Sequence, residues 1–414
     1  MKVIIVGAGI AGLAAAIALT KWISEAPSIT LVELRSQPST TGGAIGLTPN
    51  ALRALHRLGV LQVIEKYGYG SSVDCIELFD SHTGGQLGRI NFTTMTGEGL
   101  GDPPLKGHRI MRSDLLKALL EVVENLPNVD IQYGRKITAI HEDDQHVLLT
   151  FADGVPMQAD LLIGSDGIHS KVRTLLIQPD RQPEYTGLAA ASGFTELSSD
   201  QIHWKQTGLT QSQRGSFMSS LYTPDTDKHY VAAIMETEDV RSRDGWLAKG
   251  AEQDQIKQNV LGRYQSKAMP YLATLIEKSH DWNLYPVFKL GPRGTWSTKR
   301  AVLLGDAAHA MPPQGESAAI ALEDAIVFGR IMSVSSSSTI NGLHGRFMAY
   351  ERIRRPRADE AYRQATFGWD TNKDCSWFQH KMRGWLTVVF LWWTAASRVK
   401  RYSEDLATAD LDLI

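Results

Sequence analysis

The sequence predicts an α/β fold: a parallel βαβ core that is discontinuous along the chain, a mostly antiparallel sheet inserted into it, and a helical C-terminal tail. Three observations carry this expectation. Val3 to Val6 is a short apolar run that ends in a glycine turn and leads into an Ala- and Leu-rich stretch without proline. From roughly Pro183 to Leu290 the chain becomes richer in Tyr, Trp, Thr and Ser, with strand-like runs at Ser216 to Tyr222 and Tyr230 to Met235. Arg300 to Leu304 then restores a continuous apolar run, the kind that is buried on both faces of a parallel sheet.

Taken in order, Val3 to Val6, Ile10 to Thr20 and Ile29 to Glu33 read as strand, helix and strand, with a right-handed crossover. Asn50 to Tyr67 reads as one helix, with Leu52, Leu55, Leu58 and Leu61 at spacing three, and Arg112 to Asn125 as another with Ser113 as its N-cap. Cys75 to Phe79, Ile137 to Ile140, Val147 to Phe151 and Gln158 to Ile163 alternate between Asp-Gly and Gly-Gly breaks and read as antiparallel ribbons. Ala318 to Met332 is a helix, and Ser333 to Thr339 a solvated loop. The expected division is a core domain of residues 1–75, 100–180 and 291–370, an inserted domain of 76–99 and 181–290, and a helical segment of 371–414.

The 414 residues are 43% hydrophobic and 21% charged, which excludes collagen-like or wholly disordered chains. A formal net charge of -2 gives no global field for nucleic acid, so nucleic-acid binding is not expected. Two cysteines and no secretory pattern at Met1 to Gly7 fit a reducing, cytoplasmic setting. Trp385 to Ala396 is a run of 12 mostly apolar residues with three Trp and basic flanks, short of the roughly 20 that span a bilayer. It reads as a helix covering the inserted domain or a dimer contact, with a peripheral membrane-surface anchor as the alternative.

Gly7-Ala8-Gly9-Ile10-Ala11-Gly12 is a G-x-G-x-x-G between strand and helix. Its first glycine permits the turn, its second lets backbone approach a pyrophosphate, and its third lets helix and strand pack closely. The helix N-terminus adds free N–H groups and a positive dipole end. Glu33, 21 positions beyond Gly12, ends the next strand where a carboxylate can accept hydrogen bonds from a ribose diol. NAD and FAD both satisfy this Rossmann-like pattern. Three further segments extend it: Asp160 to Gly167, an apolar strand ending in Asp-Gly; Arg300 to His309, continuing through Pro312-Pro313 to a helix; and Arg109 to Leu115, which sets guanidinium groups at a helix start.

With these four ordered segments the chain resembles the single-component FAD-dependent aromatic hydroxylases, the group of salicylate, para-hydroxybenzoate and kynurenine hydroxylases, and especially fungal secondary-metabolite monooxygenases. The resemblance covers roughly residues 1 to 370 and implies an α/β fold with a discontinuous Rossmann-like FAD-binding domain and an inserted substrate domain. It implies FAD as cofactor and NAD(P)H as transient co-substrate, since no second G-x-G-x-x-G appears. It also implies O2 and an aromatic or polycyclic small molecule, hydroxylated or epoxidised through a C4a-hydroperoxyflavin that the protein keeps dry. Monomer and homodimer both stay open.

Residue by residue, the resemblance implies that Gly7, Gly9 and Gly12 hold the pyrophosphate, Glu33 the adenosine ribose and Arg112 the phosphates. Gly305 and Asp306 serve the ribityl chain or phosphate, Gly43, Ala44 and Gly46 the flavin edge, and Asp166 with Gly167 the place shared by FAD and the nicotinamide cofactor. Gly315, Ser317, Ala318 and Ala319 open the helix whose N–H groups approach the flavin pyrimidine. Tyr222 is the candidate catalytic residue, as a hydrogen-bond donor to substrate or peroxide. His309 reads as a satisfied polar residue of the Gly-Asp loop. Trp204, Trp246, Trp282 and Trp296 fit either aromatic pocket walls or core positions. No metal site is expected.

Two departures from the family pattern stand out. Glu316 falls where relatives continue Gly-Gln-Gly, so a carboxylate either approaches the flavin or faces solvent. Ser192 stands where related enzymes often carry an arginine, so a phenolate-binding role cannot be carried over. The rival readings are a flavin oxidoreductase or dehydrogenase on the same scaffold that inserts no oxygen, and, from another class, a non-catalytic FAD-binding or membrane-associated interaction protein.

Overall fold

The computed structural model describes residues 1–40, 42–225, 227–313, 315–334 and 342–411. The serine-rich stretch falls outside these residues from Ser335 onward, as does Gln314.

Distant parts of the sequence supply a single parallel sheet. Its order is Ala301–Leu303, Leu161–Gly164, Lys2–Val6, Ser28–Val32 and Val129–Gln132, with Val3 opposite Leu161 on one side and Ile29 on the other. The central strand buries Val3 to Val6 because both its faces are covered, which explains the unbroken apolar run. The helix Ile10–Trp22 returns from the first strand to the second, and Ser317–Met332 follows the edge strand Ala301–Leu303.

A seven-stranded sheet carries the insertion, ordered His280–Lys289, Glu184–Glu196, Lys228–Glu236, Gly215–Leu221, Thr207–Ser212, Cys75–Asp80 and Gln86–Asn91. Every neighbouring pair is antiparallel except Thr207–Ser212 with Cys75–Asp80. The helices Arg243–Ala251, Gln253–Tyr264 and Tyr271–Lys278 accompany this sheet. From the latter two, Val260, Tyr264, Leu272 and Ile276 meet Phe217, Val231, Ala233 and Met235 in one buried cluster. Alternation then turns Ser192, Phe194, Tyr230, Ala232, Met218 and Ser220 to the opposite face, toward the parallel-sheet side.

The structure corrects several element readings. Asn50 to Tyr67 is two helices, Pro49–Arg57 and Leu61–Tyr67, because Gly59 takes a left-handed φ of 79° and breaks the run. The spacing-three leucines survive the break, since Leu52, Leu55, Leu58 and Leu61 all remain in one core. Ser113 is not an N-cap: the strand Gly107–Met111 runs directly into the helix Arg112–Glu124, and extended Met111 occupies the cap without a side-chain bond. Gln158 to Ile163 is not one antiparallel ribbon. Asp160 divides it, with its backbone N–H on the Lys2 carbonyl and its carboxylate on the Lys2 N–H, so Met157–Ala159 pairs antiparallel while Leu161–Gly164 joins the parallel sheet. Tyr222 lies one residue beyond its strand. The three helices of the insertion escaped the reading although Ile256, Val260 and Tyr264 repeat at helical spacing.

The C-terminal region is helical over Gly342–Asp370, Trp377–Trp393 and Ala395–Ser403. Its end is strapped across the core domain. Buried Arg53 donates to the carbonyls of Tyr402, Leu100 and Pro103, Arg57 pairs with Asp405 at 2.7 Å, and Arg330 donates to the carbonyls of Leu406 and Ala409.

Candidate functional site

Each glycine of the first turn does a different job. Gly7 has a φ of 102°, and a Cβ there would lie 2.6 Å from the Ser165 carbonyl oxygen. A Cβ on Gly12 would lie 1.9 Å from the Gly7 carbonyl oxygen, so only glycine lets the helix start so near the turn. A Cβ on Gly9 would meet nothing within 4 Å, so this glycine borders open space. Ser165 pins the turn by donating from Oγ to the carbonyls of Val6 and Gly7 at 2.8 and 3.1 Å. Glu33 accepts from the Ala8 N–H at 3.0 Å and the Arg35 N–H at 2.9 Å, which holds its carboxylate against the glycine turn.

The helices Ile10–Trp22 and Ser317–Met332 run side by side in the same direction. Gly305 touches Ala11 of one and Ala321 of the other, and Gly329 packs on Ala18. Neither helix has a side-chain cap at its N-terminus, so two sets of free N–H groups open toward one place, next to Asp306. Asp306 is solvent-accessible yet ringed by protein, and that enclosure pushes its carboxyl above the usual range, against the opposing pull of His309 and Arg112.

A buried charge network fixes this loop from behind. Asp324 accepts from the Gly305 N–H at 3.0 Å, from His309 Nε2 at 2.6 Å and from Arg354 Nε at 2.7 Å. Burial alone would raise its pKa, but the charges and hydrogen bonds of His309 and Arg354 outweigh burial and hold it well below the carboxylate range. Arg354 also donates to Glu323, which accepts from Asn50. His309 is thereby anchored in the loop through Nε2, while its Nδ1 is buried without a partner, so the expected satisfied residue is only half satisfied. Arg173, fully buried, joins this loop to its neighbour by donating to the carbonyls of Ala307 and Ile168 at 2.9 and 2.6 Å.

Asp166 turns one carboxylate oxygen to the N–H groups of Lys171 and Val172 at 2.5 and 3.3 Å and buries the other with no partner; burial pushes its pKa up. Gly167 follows with a φ of 76°. Arg112 donates its backbone N–H to Gly43 and buries Nε with no hydrogen-bond partner. Gly315, with a φ of 80°, faces open space, while Ala318 and Ala319 are buried just inside the helix. Glu316 does not face solvent. It is buried, pairs with Arg357 at 2.9 Å and lies 3.4 Å from the Tyr402 hydroxyl, so it joins the helix start to the C-terminal region.

Across the cleft stands the free face of the seven-stranded sheet. Tyr230 reaches Gly43, where a Cβ would lie 2.3 Å from its ring. Phe194 contacts Tyr230 at 5.8 Å and Tyr222 at 5.3 Å between ring centroids, which sets Tyr222 one ring farther from Gly43 than Tyr230. Tyr285 shares this region; burial first, and the Tyr230 hydroxyl second, push its pKa up. Arg109 lies against Gly46, donates from Nε to Ser220 Oγ at 3.1 Å and touches Met218 sulfur at 3.6 Å. It is buried, forms no ion pair among the described residues, and burial lowers its pKa to about 10. Ser192, Ala232 and Met218 are neighbours in one cross-strand row, so Arg109 supplies a guanidinium on the row where Ser192 offers none. Sequence reasoning noticed Arg109 only as a phosphate donor and missed Tyr230 and Tyr285. The signal for Arg109 is its place on a strand before the helix, which points it away from Arg112.

The four tryptophans singled out are core residues. Trp204 and Trp282 fill the cluster shared with the helices, Trp246 lies on Tyr185, and Trp296 packs on His309 and Tyr350. Among the described residues no group of His, Cys, Asp and Glu has the arrangement of a metal site.

Comparison with known proteins agrees with this geometry. Residues 1–365 match the family described as FAD binding domain, and the chain belongs to it. Over 385 residues the chain is 28% identical to the 6-hydroxynicotinate 3-monooxygenase of Pseudomonas fluorescens, covering 91% of this chain and 94% of that one. It is 26% identical over 370 residues to the FAD-dependent monooxygenase atnJ of Arthrinium sp, covering 87% and 82%. The fold is that of Klebsiella pneumoniae HpxO, solved with FAD and uric acid, with a TM-score of 0.78 at 20% identity over 97% of this chain and 96% of that one.

Proposed function

We propose that this member of the FAD binding domain family, an FAD-dependent monooxygenase of aromatic compounds, binds a substrate bearing an acidic oxygen between Arg109 and the rings of Phe194, Tyr230 and Tyr285. The observation that carries the reading is the pairing of two uncapped helix N-termini with an aromatic sheet face across Gly43. FAD fits this side of the cleft: Gly9 borders open space, Arg112 Nε is buried without a partner, and Asp306 is exposed beside the helix starts.

In this reading Gly7, Gly9, Gly12 and Arg112 hold the pyrophosphate, Glu33 the adenosine ribose, and Gly305 with Asp306 the ribityl chain. Gly43, Ala44 and Gly46 line the flavin edge, and Asp166 with Gly167 serves both FAD and NAD(P)H. The N–H groups that follow Gly315, at Ser317, Ala318 and Ala319, face the pyrimidine, where negative charge collects on reduction. The chemistry FAD supplies when bound is reduction by NAD(P)H and activation of O2 for transfer of one oxygen atom to the substrate. Arg109 holds the substrate's anionic oxygen by charge-assisted hydrogen bonds in a low-dielectric site, and Ser220, bonded to Thr207 at 2.6 Å, fixes its guanidinium. Phe194, Tyr222 and Tyr230 keep water from the reacting ring, and the Tyr222 and Tyr230 hydroxyls are the donors at hand. A role in fungal secondary metabolism has its support in the fungal relative.

The test screens phenols and aromatic acids against their methyl ethers and esters, following NAD(P)H consumption, O2 consumption and product mass. The reading expects a product with one added oxygen atom from the acidic compounds and a loss of turnover on their esters. A product altered only in hydrogen content would favour the oxidoreductase that inserts no oxygen. Equal turnover of acids and esters would remove Arg109 from substrate recognition.

A further inference from the structure

We propose that the helix Trp377–Trp393, together with the basic turn that follows it, docks on the surface of an anionic lipid bilayer. This helix packs on the seven-stranded sheet and its turns along one stripe, and Arg383 ties its flank to the carbonyls of Thr371 and Lys373. His380 meets Asp80 at 3.3 Å, Gly384 lies against Leu87, Thr387 meets Gln211 at 3.4 Å, and Leu391 sits over Gly88. The stripe follows the four-three-four spacing of one helix face. The opposite face has the same spacing in Phe378, Met382, Trp385, Val389 and Trp392, with Trp393 beside it, and all of these are exposed. Trp392 and Trp393 are 80% and 77% exposed, and exposed Phe367, in ring contact with Phe390, extends the patch. Single exposed apolar residues are ordinary; a contiguous apolar helix face with three tryptophans marks a surface that something covers.

Charge decides what covers it. Between Asp374 and Glu404 the chain has no carboxylate, but it has Lys381, Arg383, Arg398, Lys400 and Arg401. Arg401 approaches Glu316 and Glu360, Arg383 and buried Arg398 donate to backbone carbonyls, and Lys381 and Lys400 form no ion pair among the described residues. A second copy docked about a two-fold axis would bring these cations against themselves. An anionic headgroup layer brings the opposite charge, and tryptophan rings suit the headgroup boundary. Among the described residues no helix is long and apolar enough to cross a membrane, so the segment lies in the interface plane.

The test mixes the FAD-loaded full chain with phosphatidylserine–phosphatidylcholine vesicles and with phosphatidylcholine vesicles, reading co-sedimentation and tryptophan emission. Binding to the anionic vesicles is expected to be about tenfold stronger or more, with emission shifted to the blue. Trp392→Ser with Trp393→Ser should lower partitioning about tenfold, and Lys381→Glu with Lys400→Glu should remove the preference for phosphatidylserine, both with FAD content unchanged. Absence of binding to anionic vesicles, or binding that the tryptophan pair does not alter, would overturn the proposal. So would a concentration-dependent dimer that the tryptophan pair abolishes in a chain that ignores vesicles, which would assign the face to a second copy.

Discussion

On one side of the cleft, the glycine turn and the uncapped starts of two helices present backbone; on the other, Arg109, Phe194, Tyr230 and Tyr285 present side-chain atoms. The first wall accepts few residue types at each position, since a Cβ at Gly7 or Gly12 would collide with backbone that cannot move. The second tolerates many, because a strand's free face can carry almost any side chain. A site made of backbone is therefore written into its sequence, and a site made of side chains is recognisable only once the sheet has assembled them.

The largest test of this contrast lies within the glycine turn. Gly12→Ala sets a methyl 1.9 Å from the Gly7 carbonyl oxygen, and loss of FAD together with about 4 kcal/mol or more of stability is expected. Gly9→Ala meets no neighbour, so the apoprotein should melt as the wild type does while FAD affinity, read by flavin fluorescence, falls at least about tenfold. Equal loss of stability in both would break the distinction between packing and ligand-facing glycines.

Next in size is Asp324→Asn, which removes the negative charge shared by His309 and Arg354 and turns one of the two acceptor oxygens that serve Gly305, His309 and Arg354 into a donor; a loss of about 3 kcal/mol is expected in urea unfolding. Asp324 titrates below its unfolded value, so its contribution is complete above the usual carboxylate range and disappears as pH falls through the depressed folded value. The gap between wild type and variant should therefore be full at neutral pH and narrow below about pH 4. A gap that is constant with pH would mean that the network acts through packing alone.

Arg109→Met sharpens the comparison from the other wall. FAD content and stability should hold, because the variant removes a buried charge that no carboxylate compensates. KM for an acidic aromatic should rise about thirtyfold, equivalent to about 2 kcal/mol. The smallest expected effect separates two tyrosines. Tyr230→Phe should slow turnover several-fold more than Tyr222→Phe, because Tyr230 reaches Gly43 and Tyr222 stands one ring behind it. The reverse order in stopped-flow turnover would return the leading role to Tyr222.

These particulars show where the sequence is readable. Gly7, Gly9, Gly12 and Glu33 stand out in the sequence because a tight strand-to-helix turn, a close backbone approach and a strand-ending carboxylate each call for one residue type at fixed spacing. Asp306 was legible from its strand-end position, but its anchor Asp324 was not, because an acid inside a helix gives no sign of what it meets after folding. The break at Gly59 was hidden by leucines that keep one spacing through it, and the pairing of Glu316 with Arg357 spans 41 positions. The aromatic face depends on cross-strand register, which joins Phe194 to Tyr230 and Tyr230 to Ser220.

The measurement that bears most directly on the central claim is turnover of the FAD-loaded protein with NAD(P)H under isotopically heavy dioxygen, using an acidic aromatic substrate and mass spectrometry of the product. The predicted result is one heavy oxygen atom in the product, lost when Arg109 is methionine while FAD remains bound. A product that takes no oxygen from the gas, with reduction of the protein by NAD(P)H intact, would contradict the account and assign the scaffold to hydride chemistry alone.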